Sequence, residues 1–94
     1  MKFINYVKYI SDLRRVEDVR PRHREYMAQL TAAKSLFSAG PFGDLSGALF
    51  IYEAGTLSEA EALFANDPYC IEGVVASFEI TQWQLLSLNK DLLD

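Results

Sequence analysis

The chain has very little of the material that covalent cross-links and metal centres require. It contains one cysteine, Cys70, and one histidine, His23, in 94 residues. A single thiol cannot form an intramolecular disulfide, and one histidine with one cysteine is too poor a ligand set for a transition-metal site. We therefore expect a fold held together by its core, with no metal and no other cofactor.

Long apolar runs and phosphate-binding motifs are also missing. No apolar stretch reaches the roughly 18–20 residues that cross a bilayer, and the first residues alternate with polar ones instead of forming a signal-peptide core. The segment Gly40-Pro41-Phe42-Gly43 lacks the lysine and the spacing of a P-loop. These absences argue against a membrane partner, and they make a cytoplasmic location the default expectation.

The charge is acidic overall but unevenly distributed. A net charge of −4 argues against a nucleic-acid partner, because phosphate binding needs a positive surface. Five arginines nevertheless fall within eleven residues, at positions 14, 15, 20, 22 and 24. This cluster is either a solvated helix entry or an anion-attracting rim around a site.

The first third of the chain predicts a strand followed by a helix. Residues 2–10 alternate between two apolar sets, which is typical of a central strand covered on both faces. From about Asp18 the apolar residues recur every three or four positions, which indicates an amphipathic helix with Asp18 as its N-cap. Pro21 fits only the first turn of such a helix, so we expect His23 near the helix start.

The rest of the chain predicts three more strands and one more helix. The strands are expected over residues 35–39, 48–53 and 74–83. Ser58 and Glu61 have the spacing of a capping box that begins the second helix. That helix should end near Asp67, because Pro68 disfavours helical geometry at the residue before it.

This β-α-β-β-α-β order is that of the ferredoxin-like arrangement in the α+β class. It predicts a single domain over residues 1–94, with a four-stranded antiparallel sheet and two helices on one of its faces. The first and last strands are apolar on both sides, so the second face should also be covered. We predict a homodimer closed sheet against sheet, with residues 85–94 as a tail that makes further assembly contacts.

His23 is the candidate chemical centre. Partial burial and the positive end of the helix dipole would both disfavour the imidazolium, so a neutral imidazole able to accept a proton is expected near pH 7. This form suits a general base. The alternative is a histidine at the core edge that only hydrogen-bonds a backbone carbonyl.

Asp67 is the candidate partner of His23. Pro68 fixes the backbone next to it and could aim the carboxylate into a cleft, where it would fix the imidazole tautomer and stabilise the protonated state. The alternative is that Asp67 only terminates the helix and caps the following turn. Cys70 is expected to be a structural thiol, because Glu72 is close in sequence and would disfavour a thiolate.

Several segments taken in order resemble the YCII (YciI-like) family. They are Arg20-Pro21-Arg22-His23, Ser38-Ala39-Gly40-Pro41-Phe42, Asp67-Pro68-Tyr69 and Ile80-Thr81-Gln82-Trp83. The resemblance runs from the first strand to Trp83 and implies a dimeric α+β barrel. It also implies that His23 and Asp67 form the active-site pair, and some members of the family act as lyases or dehalogenating enzymes on aromatic compounds.

The sequence hypothesis is a small enzyme of the lyase or isomerase type acting on a small cyclic or aromatic compound. His23 would be the general base and Asp67 would orient it. The substrate-binding residues are expected to be Arg20, Ser38, Gly40, Pro41, Phe42 and Tyr69. The competing hypothesis is a non-catalytic dimeric module that binds a small ligand or serves as an accessory subunit.

Overall fold

Four strands and two main helices follow one another within residues 1–93, the part of the chain that the computed structural model describes. The elements are β1 (Lys2–Tyr9), α1 (Leu13–Ala32), β2 (Leu36–Pro41), β3 (Gly47–Glu53), α2 (Leu57–Ala65), a short helix α3 (Pro68–Ile71) and β4 (Val75–Trp83). The predicted β-α-β-β-α-β order is confirmed. Helix α3 is an addition that the sequence analysis did not anticipate.

The strands form one antiparallel sheet with the ferredoxin-like order β2-β3-β1-β4. Strand β1 lies in the middle and pairs with both β3 and β4, so that Tyr6 is opposite Leu49 on one side and Glu79 on the other. The predicted fold class is therefore confirmed. The sheet places the ends of β1, β2 and β3 beside helix α1.

Helix α1 begins earlier than predicted. Its N-cap is Asp12, whose side chain accepts a hydrogen bond from the Arg15 amide at 3.4 Å. The prediction of Asp18 as the N-cap is wrong, because Pro21 is tolerated inside this long helix. Proline removes one donor, to the carbonyl of Glu17, and water can satisfy that carbonyl because Glu17 is exposed.

The earlier start changes the setting of His23. The residue lies near the middle of α1 rather than in its first turn. A helix dipole acts mainly within the first and last turns, so it has little effect on an imidazole at this position. The part of the sequence argument that rested on the dipole is wrong, and the part that rested on burial remains.

Helix α2 uses a capping box two residues before the predicted one. The Glu59 amide donates to Thr56 Oγ1 at 3.1 Å, and Glu59 Oε2 accepts from the Gly55 amide at 2.7 Å. The predicted pair of Ser58 and Glu61 has the same spacing but lies inside the helix. The helix ends at Ala65, close to the predicted end.

The core lies between the helices and one face of the sheet. Aromatic and aliphatic side chains from β1, β3, α1 and α2 form it, including Phe3, Val7, Val16, Phe50, Tyr52 and Phe64. Gly47 is required where β3 pairs with β1, because a Cβ atom there would lie 1.9 Å from the Val7 carbonyl oxygen. Close packing of the two strand backbones thus depends on this glycine.

The opposite face of the sheet carries the alternate side chains of the same strands. On β1 these include Ile4 and Tyr6, and Tyr6 is 47% exposed. The Phe42 ring packs against it, with the ring centroids 4.9 Å apart. Within residues 1–93, no helix is both long enough and apolar enough to cross a membrane.

Candidate functional site

A buried contact joins α1 to the segment between α2 and α3. His23 Nδ1 lies 2.9 Å from Asp67 Oδ1 and 3.0 Å from Oδ2. The side chains are 10% and 0% exposed, respectively. An ionised carboxylate can only accept, so we assign the proton to Nδ1. In neutral His23 the lone pair is then on Nε2, the nitrogen that can take a proton.

Asp67 also caps helix α3. Its Oδ1 accepts a hydrogen bond from the Tyr69 amide at 2.9 Å, and Pro68 is the first residue of the helix. Proline at this position costs no hydrogen bond, because the first amides of a helix have no partner within it. The two interpretations of Asp67 are therefore compatible, since one carboxylate caps the turn and binds the imidazole.

Tyr69 fixes the plane of the imidazole. Its ring stacks on His23 with centroids 3.9 Å apart and an interplanar angle of 12°. Arg20 Nε donates to the Tyr69 hydroxyl at 3.0 Å, which holds the phenol in place. The Phe50 ring lies 5.4 Å from His23, at a tilt of 45°. The Asp67 carboxylate, the Tyr69 phenol and the Phe50 ring together restrict rotation of the imidazole.

A cavity of about 440 Å³ opens beside His23, between α1 and the β2–β3 part of the sheet. This volume is within the range of small-molecule sites, about 300–1,000 Å³. Its lining comes from β1, α1, β2, the following loop, β3 and α3, and it includes Tyr9, Arg20, His23, Arg24, Met27, Ser38, Gly40, Pro41, Phe50 and Tyr69.

Most of the residues singled out from the sequence meet at this cavity, and two do not line it. Arg20, His23, Ser38, Gly40, Pro41 and Tyr69 are among its lining residues. Asp67 does not line the cavity, and it is linked to the lining through its hydrogen bond with His23. Phe42 lies away from it, against Tyr6 on the exposed side of the sheet, because β2 ends at Pro41.

Ten lining residues were not among the predicted site residues: Tyr9, Arg24, Met27, Thr31, Leu36, Phe37, Ala39, Leu45, Ala48 and Phe50. Three of these, Arg24, Met27 and Thr31, follow Arg20 at intervals of three or four residues, which is one face of α1. The helix predicted from about Asp18 already contained this face, but spacing alone does not show which face borders a cavity. Tyr9 ends β1, and no local sequence signal distinguishes it from the other aromatic residues of that strand.

The titratable groups around His23 are held in defined protonation states. Burial, followed by the neighbouring Tyr69, raises the pKa of Tyr9 far above its ordinary value, so its phenol stays neutral. The hydrogen bond to Tyr69 raises the pKa of Arg20, which stays charged. Burial and the Asp67 charge raise the pKa of Cys70, which favours the thiol.

No group of three or more His, Cys, Asp or Glu side chains within residues 1–93 is placed to hold a metal ion.

Comparison with known proteins identifies a family, a curated relative and similar solved structures. A family described as "YCII-related domain" matches residues 1–84. The uncharacterized protein YjpA of Bacillus subtilis (strain 168) is 35% identical over 63 residues, which cover 67% of this chain and 73% of that protein.

One of the similar solved structures is 5-chloro-2-hydroxyhydroquinone dehydrochlorinase (TftG) from Burkholderia phenoliruptrix AC1100, in complex with 2,5-dihydroxybenzoquinone. The TM-score is 0.80 and the sequences are 26% identical, with 89% of this chain and 94% of that chain covered. The likeness therefore extends over nearly the whole of both chains.

Proposed function

The chain belongs to the YCII-related family, as its motifs predicted, and we propose that it is an enzyme of the lyase or isomerase type acting on a small cyclic or aromatic substrate. One similar solved structure is named a dehydrochlorinase and holds a quinone, which supports lyase chemistry on a ring compound. The observation that carries the proposal is the His23–Asp67 contact beside a cavity of suitable size.

In the proposed mechanism, Nε2 of neutral His23 removes an acidic proton from the bound ring compound. The Nδ1 proton stays hydrogen-bonded to Asp67, which orients the imidazole and stabilises the positive charge that develops on it. In a lyase reaction, the electron pair left on the substrate expels a leaving group. In an isomerase reaction, the imidazolium returns the proton to a different substrate atom.

The cavity lining supplies the proposed substrate contacts. Tyr69 presents a hydroxyl beside the stacked imidazole, and Ser38 offers another hydroxyl from β2. Gly40 and Pro41 add backbone surface along the same strand. Arg20 places a cation at the same end of the cavity as His23, where negative charge would develop on the substrate after proton removal.

The first experiment replaces each member of the pair. His23→Gln and Asp67→Asn are assayed with the wild type against a panel of hydroxylated and chlorinated quinols. We expect kcat to fall by roughly 10²–10⁴-fold in both, the usual contribution of a general base. Glu72→Gln is the control, since its carboxylate pairs with Arg22 outside the cavity and its activity should be unchanged.

A second readout tests the role of Asp67 directly. Nitrogen NMR of the histidine ring should place the proton on Nδ1 in the wild type. In Asp67→Asn the new amide can donate to Nδ1, so the proton should move to Nε2 and remove the basic lone pair. Wild-type turnover by both variants would contradict the proposal and leave a non-catalytic binding module.

We also propose that the protein forms a homodimer through the exposed face of its sheet, with the C-terminal tail adding contacts. Support comes from exposed Tyr6 and half-buried Phe42 on that face and from apolar side chains in the tail. The tail leucines Leu86, Leu88, Leu92 and Leu93 are 49–86% exposed in the single chain. Asp94, the last residue of the predicted tail, lies outside the described residues.

A further inference from the structure

One end of the cavity beside His23 is cationic. Arg20 and Arg24 both line it, on the same face of α1 as His23. No carboxylate belongs to its lining in the part of the chain that the structure describes. This is notable in a protein with thirteen acidic residues against nine basic ones. The local charge of the cavity is thus opposite to that of the whole chain.

Within residues 1–93, neither of these two arginines forms an ion pair. The Arg20 Nε bond goes to the uncharged hydroxyl of Tyr69. Glu17, one turn earlier on α1, influences Arg20 from beyond ion-pair distance. Arg24 makes no ion pair with any of residues 1–93. Arg20 and Arg24 are four residues apart on one helix, and like charges at that spacing repel.

The remainder of the cavity is largely apolar. Apolar side chains of the lining include Met27, Phe50, Leu36, Leu45 and Ala48, and the hydroxyl-bearing Tyr9, Thr31 and Ser38 add uncharged polar groups. Such a wall suits the faces and edges of a hydrocarbon ring rather than a second charged group. The cavity therefore combines two guanidinium groups with an uncharged, mainly apolar wall, and His23 lies on the same helix face as the two arginines.

We propose that Arg20 and Arg24 form an anion-binding subsite, so that the substrate is a ring compound bearing a carboxylate. This inference rests on the proposed function and names its substrate class. A planar guanidinium fork matches carboxylate geometry, and an anion placed between two fixed cations relieves their mutual repulsion. Because His23 lies between them on the helix, the carboxylate is held within one helical turn of the base.

Binding of two matched probes tests the subsite without requiring turnover. 3-Hydroxybenzoate and 3-hydroxybenzamide share ring, hydroxyl and shape, and only the benzoate is charged at pH 7. Titration followed by NMR should give the wild type an affinity for the acid at least about tenfold above that for the amide, since charge-assisted hydrogen bonds are the stronger ones.

The variants assign that preference to the two arginines. Arg24→Gln should weaken binding of the acid about threefold, a modest effect because this side chain is exposed and screened. The double variant with Arg20→Gln should abolish the preference, so that the acid and the amide bind with equal affinity. Arg14→Gln, on the same helix but away from the cavity, is the control and should retain the full preference.

The outcomes separate this inference from the proposed function. Equal affinity for both probes, an Arg24→Gln variant with undiminished preference, or no binding of the acid in the millimolar range would each overturn the subsite. Turnover could still depend on His23 in that event. Conversely, a preference lost with the arginines supports the subsite, even if His23→Gln leaves turnover unaffected.

Discussion

The two faces of the sheet differ in how deeply their side chains are buried. On the face covered by the helices, Phe50 and Tyr52 are almost completely buried, and even the polar Asp67 has no exposed surface. On the other face, Tyr6 and Phe42 pack on each other and still expose part of their surface. Alternate residues of the same strands thus have very different environments.

The comparison distinguishes contacts that form within one chain from surface that the proposed dimer would cover. His23 and Asp67 are paired with each other within the chain, whereas Asn5 Oδ1 is buried without a hydrogen-bond partner among residues 1–93. The contact between His23 and Asp67 thus needs only one chain. The exposed face carries apolar side chains such as Tyr6 beside the ion pair of Lys2 and Glu53, and apolar surface within a polar rim is typical of an interface.

The largest effect should come from emptying the helix-side core. Phe50→Ala removes a ring with 2% exposure that also contacts His23. We expect a loss of about 3–5 kcal/mol in the free energy of unfolding, measured with urea. The matched change Phe42→Ala on the other face should cost about 1 kcal/mol. Equal losses would remove the distinction between the faces.

Next in size is a change in the strand backbone that both faces share. Gly47→Ala places a methyl group against the Val7 carbonyl oxygen, and the strands must separate. We expect about 2–3 kcal/mol of destabilisation in thermal or urea unfolding. Gly40→Ala is the control, because a Cβ there meets no atom within 4 Å and should change stability by less than about 0.5 kcal/mol.

A pH experiment compares tyrosines on the two faces. Burial raises the pKa of Tyr52 above its unfolded value of 10.0. Because the pKa of Tyr52 is higher in the folded chain, its neutral phenol contributes fully to the free energy of unfolding below pH 10. This contribution is lost as the pH rises above 10, because the unfolded chain ionises first. At pH 11 the loss should be about 1.4 kcal/mol relative to pH 8.

Variants test whether Tyr52 causes this loss of unfolding free energy at high pH. Tyr52→Phe should reduce the difference in unfolding free energy between pH 8 and pH 11, whatever it does to stability at pH 8. Tyr6→Phe, on the exposed face, is the comparison variant. Part of the loss will persist in Tyr52→Phe, because burial also raises the pKa of Tyr9. The prediction is wrong if Tyr52→Phe keeps the full wild-type slope.

The smallest effect on folding should come from the exposed face, where the consequence lies in assembly. Tyr6→Ser removes a side chain that is 47% exposed, so the stability of the single chain should change by less than about 1 kcal/mol. Sedimentation at micromolar concentration should nevertheless shift from dimer to monomer. A wild type that sediments as a monomer would refute the dimer outright.

The fold could be predicted from the sequence because its elements carry local signals. The alternation in β1 and the spacing of three and four residues in α1 are properties of neighbouring residues. They identify each element even when its first or last residue is predicted wrongly. The start of α1 was missed because Pro21 normally marks a first turn, whereas tertiary packing of a long helix outweighed that preference. The capping box was misplaced because two pairs with the same spacing begin two residues apart.

The site was only partly accessible from sequence. His23 and Asp67 were recognised by residue type and family resemblance, but their contact depends on how α1 crosses the sheet. Tyr9 and Arg24 were missed because their roles follow from three-dimensional proximity to Tyr69 and Arg20, respectively. Phe42 was grouped with the cavity because it is adjacent in sequence to Pro41, yet the chain turns away after β2.

The His23–Asp67 contact also has a kinetic consequence. The partners are 44 residues apart in sequence, and β2, β3 and α2 all lie between them. A contact of such long range is among the costly ones to form, because the intervening chain must first be ordered. No early, locally structured intermediate can contain the pair. During refolding, recovery of the histidine environment should therefore report completion of the whole sheet.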